Sequence, residues 1–223
     1  MKFIDLFAGA GGMSCGIKNA GGVLVFANEF DPNASKTYKS NLDHWKNSQG
    51  LLIQAPIENL HKSLIKKDIQ NNFQGDLVVE HSTYKENKAK HENVQIDKDH
   101  LKYLKSIKKI DLIVGGPPCQ GFSNLGRGKK KEILQNVQKK FIEDPRNQLF
   151  KYFLDFVEFY SPKIVLIENV MGLKSAGDYY ELIHKSLEKT KPGYIVTGLE
   201  LNASEFGIAQ SRKRLFFVGV RND

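Results

Sequence analysis

Apolar and polar positions fall into short blocks along the chain. Lys2 to Phe7 has the pattern of a buried strand and runs into the glycine-rich turn Ala8-Gly9-Ala10-Gly11-Gly12, which predicts a helix continuing to about Ala20. Val23 to Ala27 reads as a second strand, ending in Asn28-Glu29-Phe30-Asp31. Pro32 suits the first turn of the next helix, and Asp31 is placed to cap it. Leu51 to Ile53 is a short strand, and further strands are expected at Asp111 to Val114, Lys163 to Ile167, Tyr194 to Leu201 and Arg214 to Val220. Helical patterns lie at about Asn147 to Tyr160 and Asp178 to Lys189. Strands alternating with helices predict an α/β fold, a mostly parallel sheet with helices on both faces. Too little chain separates the last two strands for a crossover helix, so an antiparallel edge pair is expected there.

Two stretches interrupt this rhythm. From His61 to Lys109 there are 11 Lys against 7 Asp or Glu, and the span reads as an insertion at about 61–109 in a single domain covering 1–223. From Leu125 to Ile142 there are 6 Lys or Arg and 1 Glu. These local excesses feed a formal net charge of +8 over 223 residues, which suits a polyanionic partner without proving one. Apolar residues make up 40% of the chain, enough for one sizeable core. No apolar run reaches the roughly 18 residues of a membrane helix. Asp5 interrupts the opening where a secretion signal would stay apolar, so a cytoplasmic setting is expected. With only Cys15 and Cys119, neither a disulfide framework nor a four-cysteine zinc site is available, and no metal is called for.

The candidate chemistry sits at strand ends. A strand, a glycine turn and a helix together bring backbone N–H groups to a ligand. Glu29 follows Gly9 by 20 residues, where a carboxylate can accept ribose hydroxyls. The third glycine of a dinucleotide fingerprint is replaced by Ser14, so a ligand with ribose but no pyrophosphate, such as S-adenosylmethionine, fits better. Asp111 to Ser123 runs from a buried-type strand into a loop that Pro117 and Pro118 stiffen just before Cys119. A proline-fixed polar loop is a poor place for core filler, whereas Cys15, within the first helix, reads as structural. Glu168 ends another apolar strand. In a parallel sheet these ends share one rim, where Glu29, Cys119 and Glu168 are expected to converge.

Six segments in order then carry a resemblance. They are Asp5-Leu-Phe-Ala-Gly-Ala-Gly-Gly12, Asn28-Glu29-Phe30-Asp31, Gly116-Pro-Pro-Cys-Gln-Gly-Phe-Ser123, Asp144-Pro-Arg-Asn-Gln-Leu-Phe150, Glu168-Asn169-Val170 and Gln210-Ser-Arg-Lys-Arg-Leu-Phe-Phe-Val-Gly219. The chain resembles the DNA (cytosine-5) methyltransferases over nearly its whole length, apart from the insertion. The resemblance implies a Rossmann-like S-adenosylmethionine-dependent methyltransferase fold. It also implies transfer of a methyl group to C5 of a flipped-out cytosine, in a prokaryotic, nucleoid-associated restriction-modification setting.

Residue by residue, the family pattern makes Cys119 the nucleophile on C6 and Glu168 the group that hydrogen-bonds or protonates N3. Arg214 would position the base and Glu168, and Arg212 would steady the thiolate or a phosphate. Pro118, Gln120, Ser123, Arg127, Lys129, Lys130, Asn169 and Gln210 fall on the side of double-stranded DNA. The cofactor side takes Asp5, Phe7, Ala8, Gly9, Gly11, Gly12, Glu29, Phe30, Ile57 and Leu149, with S-adenosylhomocysteine as the product.

Two departures stand out. The family often has an Asp after the third strand to meet the adenine amino group, and Pro56 occupies that place. The family also continues into a target-recognition domain and a returning segment, and neither follows Asp223. The resemblance therefore implies a split enzyme whose second polypeptide supplies them, with truncation as the alternative. The competing readings are a non-catalytic regulatory or DNA-binding module of the same fold and an RNA cytosine-5 methyltransferase.

Overall fold

The computed structural model describes residues 1–44, 50–65, 96–118, 145–175 and 179–223, with the side chains of 145–148, 175 and 179 left aside. In chain order the elements are β1 (Lys2–Leu6), α1 (Gly12–Asn19), β2 (Val23–Glu29), α2 (Pro32–His44), β3 (Leu51–Gln54) and α3 (Ile57–Leu64). Then come α4 (Lys98–Ser106), β4 (Leu112–Gly115), α5 (Pro145–Tyr160), β5 (Ile164–Val170) and α6 (Gly172–Ser175). The last are α7 (Tyr179–Lys189), β6 (Tyr194–Asn202), a 3₁₀ turn (Ala203–Phe206) and β7 (Lys213–Arg221).

The strands form one seven-stranded sheet in the order β3-β2-β1-β4-β5-β7-β6. From β3 to β5 every neighbour is parallel, and β7 pairs antiparallel with both β5 and β6. The expected edge pair is therefore present. Its order follows from the short connection: β7 folds back between β5 and β6, so its first residues reach the rim where the parallel strands finish. Asp31 caps α2 as its position predicts, with Oδ1 accepting from the backbone N–H of Asn33 and Ala34 at 2.9 and 2.8 Å.

Alternating side chains divide the core into two layers. Ile4, Leu6, Phe26, Ile113, Val165 and Ile167 face the layer of α3, α4, α5 and α7, where Leu60, Leu104, Phe153, Phe156 and Leu187 are buried. Phe3, Leu24, Ala27, Leu112 and Val114 face the α1 and α2 side, closed by Tyr38. Both ends of the span read as an insertion belong to the first layer. His61 and Leu64 on α3, and Ile96, Leu104 and Ile110 around α4, are all buried. The lysines of α4 keep their charged ends in water while one apolar edge packs.

His61 ties α3 to α5. Its Nε2 lies 2.8 Å from Asp155 Oδ2, and its ring meets Tyr152 edge-on at 4.9 Å between centroids.

Candidate functional site

The rim at the C-terminal ends of β1, β2, β4 and β5 carries two groups of residues. The first is the turn after β1. Phe7, Gly9 and Gly11 all take positive φ (57°, 56° and 91°), which bends the chain from the strand into α1. The Ala8 N–H donates to the Asn28 carbonyl and the Gly11 N–H to the Ala8 carbonyl, both at 3.0 Å. The turn has an open side and a closed side. A Cβ on Gly9 would meet nothing within 4 Å, whereas one on Gly11 would come within 2.8 Å of Tyr38 Cδ2.

Glu29 braces this turn from β2. Its Oε2 accepts from the Gly9 N–H at 2.8 Å, and its Oε1 accepts from the N–H groups of Phe30 and Asp31 at 2.9 and 2.8 Å. The carboxylate is thus held in one orientation, and Oε2 keeps a second lone pair for a hydroxyl donor. Next to it, Asn28 is buried and its Nδ2 donates to the carbonyls of Ile53 and Ala55 at 3.1 and 2.9 Å, fixing the end of β3. Phe30 and Phe7 are half-buried beside the turn, and Gly12 is exposed at the start of α1. Ile57 and Leu149 are core residues, 3% and 6% exposed. Pro56 stands just before α3 and gives that helix no side-chain cap.

Asp5 differs from what its motif suggests. Counted among the cofactor contacts on the sequence, it is 0% exposed and faces inward, accepting from Ser14 Oγ at 2.6 Å. Burial pushes its carboxyl up to about 7, against the lowering effect of the Ser14 bond, and the nearby Glu29 charge adds to the rise. A carboxyl with no accessible surface contacts no ligand directly. Ala8 and Gly11 are buried as well, so this part of the motif builds the turn from beneath.

The second group sits where β4, β5 and β7 meet. In the β5–β7 ladder Glu168 lies opposite Phe216 and Val170 opposite Arg214, so Glu168 and Arg214 are diagonal neighbours on one face. Arg214 Nε is 2.9 Å from Glu168 Oε1, with the side chains 23% and 26% exposed. The Nε–H does not align on the carboxylate, so the contact is an ion pair rather than a directed hydrogen bond. Arg214 Nη1 donates to the Lys213 carbonyl at 2.8 Å. Gly116, just past β4, passes beside this pair: a Cβ there would lie 3.5 Å from Glu168 Oε2 and 4.0 Å from Met13 Cε of α1.

Pro118 is half-buried and is the last described residue of that loop. Cys119, Gln120, Ser123, Arg127, Lys129 and Lys130 lie outside the described residues. Asn169 is 5% exposed, and its Oδ1 accepts from the Val170 N–H at 2.8 Å. Gln210 and Arg212 are exposed on the connection into β7, where the Arg212 N–H donates to Asn202 Oδ1 at 3.0 Å. Cys15, expected to be structural, is exposed on α1.

Sequence reasoning passed over Ser14, Tyr38 and Asn28. In the sequence Ser14 stands only as the replaced third glycine, and Tyr38 belongs to no motif. The usable signal is a hydroxyl residue two positions past the glycine turn, at a place where the first turn of α1 must face the sheet.

A parallel sheet with an inserted antiparallel strand, a glycine turn braced by a carboxylate, and an acid–guanidinium pair on the same rim define the Rossmann-like S-adenosylmethionine-dependent methyltransferase fold. The family model for C-5 cytosine-specific DNA methylases matches residues 1–73 and 79–223, and the chain belongs to that family. It is 35% identical over its whole length to the Type II methyltransferase M.DdeI of Desulfomicrobium norvegicum, of which it covers 41%. It is 31% identical over its whole length to M.FnuDI of Fusobacterium nucleatum, covering 48%. Among solved structures, the S. pombe Dnmt2 methyltransferase shares the fold at a TM-score of 0.55 and 23% identity, with all of this chain and 51% of that one covered. The chain thus spans about half the length of these relatives.

Proposed function

We propose that this chain is the catalytic part of a DNA (cytosine-5) methyltransferase, acting on a cytosine flipped out of double-stranded DNA. The observation that carries the reading is the Glu168–Arg214 ion pair beside Gly116, three residues before Cys119. C5 of cytosine is not nucleophilic until a nucleophile adds to C6. Cys119 attacks C6 as the thiolate, and Glu168 hydrogen-bonds or protonates N3 to take up the charge that moves onto the ring. Arg214, already paired with Glu168, holds that carboxyl toward the base. A free thiol is only a few per cent ionised at neutral pH, so positive charge near Cys119 raises the reactive fraction, and Arg212 is assigned to supply it. After methylation, loss of the C5 proton and release of Cys119 restore the aromatic ring and leave 5-methylcytosine.

The turn suits S-adenosylmethionine, which supplies an electrophilic methyl group. Gly9 leaves its open side free of side chains, Glu29 presents Oε2 to the ribose hydroxyls, and Phe30 flanks the adenine side. Flipping a base costs roughly a few kcal/mol, met in part by backbone contacts. Arg127, Lys129 and Lys130, together with Pro118, Gln120, Ser123, Asn169 and Gln210, are assigned to DNA. The chain spans about half the length of its relatives, and the target-recognition domain is proposed to come from a second polypeptide, with a longer form of this same chain as the alternative.

Trapping on DNA containing 5-fluorocytosine tests the reading, because the blocked proton loss leaves the enzyme attached. With S-adenosylmethionine and the companion polypeptide, a covalent adduct is expected that disappears in Cys119→Ser. An adduct that persists in Cys119→Ser overturns the nucleophile, and efficient methylation by this chain alone overturns the need for a companion.

A further inference from the structure

Beneath the glycine turn, three side chains that the chemistry above leaves unused form a sealed polar chain. Asp5 on β1, Ser14 on α1 and Tyr38 on α2 are each 0% exposed. Ser14 Oγ donates to Asp5 Oδ2 at 2.6 Å and lies 2.6 Å from the Tyr38 hydroxyl. Each of the three groups can give or take a proton in these contacts, and in the Ser14–Tyr38 contact either oxygen can be the donor. The two contacts tie α2 through α1 to β1. The Tyr38 ring also closes the underside of Gly11, whose Cβ would strike it at 2.8 Å.

From this geometry we infer that Tyr38 and Ser14 are positioning residues that set the height of the glycine turn for its ligand. The inference rests on reading that turn as the S-adenosylmethionine site. The turn is held at two points. Glu29 takes the Gly9 N–H from the β2 side, and the Tyr38–Ser14–Asp5 chain fixes the start of α1 and Gly11 from below. Three left-handed residues in five positions give the turn little preference of its own, so its shape follows these anchors. Without the Tyr38 hydroxyl, the ring still packs on Gly11. Ser14 then keeps only one of its two partners among these three groups, and α1 is held to β1 by one contact in place of a continuous chain.

The test uses the full chain with Tyr38→Phe, Ser14→Ala and the double variant. S-adenosylhomocysteine binding is titrated calorimetrically, and amide hydrogen exchange is read without ligand. Each single variant is expected to bind about five- to tenfold more weakly, the loss of one buried hydrogen bond. Exchange should quicken several-fold at Gly9 to Gly12 and stay at the wild-type rate in β4 and β5. The double variant should bind no worse than the weaker single, because both changes cut the same chain. Wild-type affinity and exchange in Tyr38→Phe would overturn the inference, and so would a double variant whose loss is the product of the two. Should the unaltered chain take up no S-adenosylhomocysteine, the cofactor reading falls. The exchange rates at Gly9 to Gly12 then decide the positioning role, supporting it if they rise in Tyr38→Phe and overturning it if they do not.

Discussion

Glu168 and Arg214 approach to 2.9 Å across two antiparallel strands, although 46 residues of chain separate them. Neither is fully buried, so under the proposed function the pair is open to a base and oriented before one arrives. An acid that has to meet a ring nitrogen gains from this, since little reorganisation is left for the reacting complex. Glu168→Gln keeps the shape but removes the acid, and a fall in single-turnover methylation of about 10²–10⁴ is expected. S-adenosylhomocysteine affinity should be unchanged. Arg214→Lys should not rescue the arrangement, because an ammonium cannot reproduce the planar guanidinium that spans Glu168 and the Lys213 carbonyl. Rapid-quench measurements on both variants, with the companion polypeptide present, check this.

Asp5 makes stability depend on pH, because burial raises its carboxyl in the fold. Its carboxyl sits at about 7 in the fold against 3.8 for a free aspartate, chiefly through burial. Between these values the unfolded chain has released the proton and the folded chain still holds it. The contribution to stability is therefore complete below about pH 4, is lost steadily as pH rises, and is gone above pH 7. Urea midpoints followed from pH 4.5 to 8 should fall more steeply for the wild type than for Asp5→Asn. Parallel profiles for the two proteins would contradict the assignment.

The two turn glycines should respond unequally to alanine. At Gly11 the backbone is left-handed and the new methyl group meets the Tyr38 ring, so the strain of about 1–3 kcal/mol is joined by a steric clash. At Gly9 the space is open and only the backbone term of about 1–2 kcal/mol remains. Equilibrium denaturation of Gly11→Ala and Gly9→Ala, measured side by side, should show the first clearly less stable. Near-equal losses would mean that the ring yields.

Asp155→Ala should cost about 1–3 kcal/mol, because His61 Nε2, on a side chain 1% exposed, would lose its carboxylate. The effect belongs to the α3–α5 contact rather than to the rim. Denaturation midpoints should therefore shift while the affinity for S-adenosylhomocysteine is retained.

The sheet was readable in the sequence because its strands are short apolar blocks ended by glycine, proline or acid. Asp111 to Val114 and Lys163 to Ile167 show this, and they pair as Leu112 with Ile164 and Val114 with Leu166. The edge pair followed from a connection too short for a helix. The membership of α4 in the core was not readable, since Lys98, Lys102 and Lys105 dominate its composition and only Leu104 is buried on it. The site divides the same way. Glu29 and Glu168 announce themselves as acids at strand ends, so their place on the rim was legible. Their contacts were not. Glu29 spends three acceptor positions on backbone N–H groups, and Asp5 turns inward to a serine, because a sequence gives the position of a carboxylate but not the direction it faces.

The reversed direction of β7 has a consequence for how such an enzyme can diversify. A parallel strand can offer the rim only its last residues, with its entry buried at the opposite end. Here the connection from Asn202 to Lys213 both leaves and re-enters at the rim, outside the seven-stranded ladder. Extra residues accepted there would enlarge the surface at the rim without shifting a single rung, so under the proposed function new target preferences can be grafted onto an unaltered sheet.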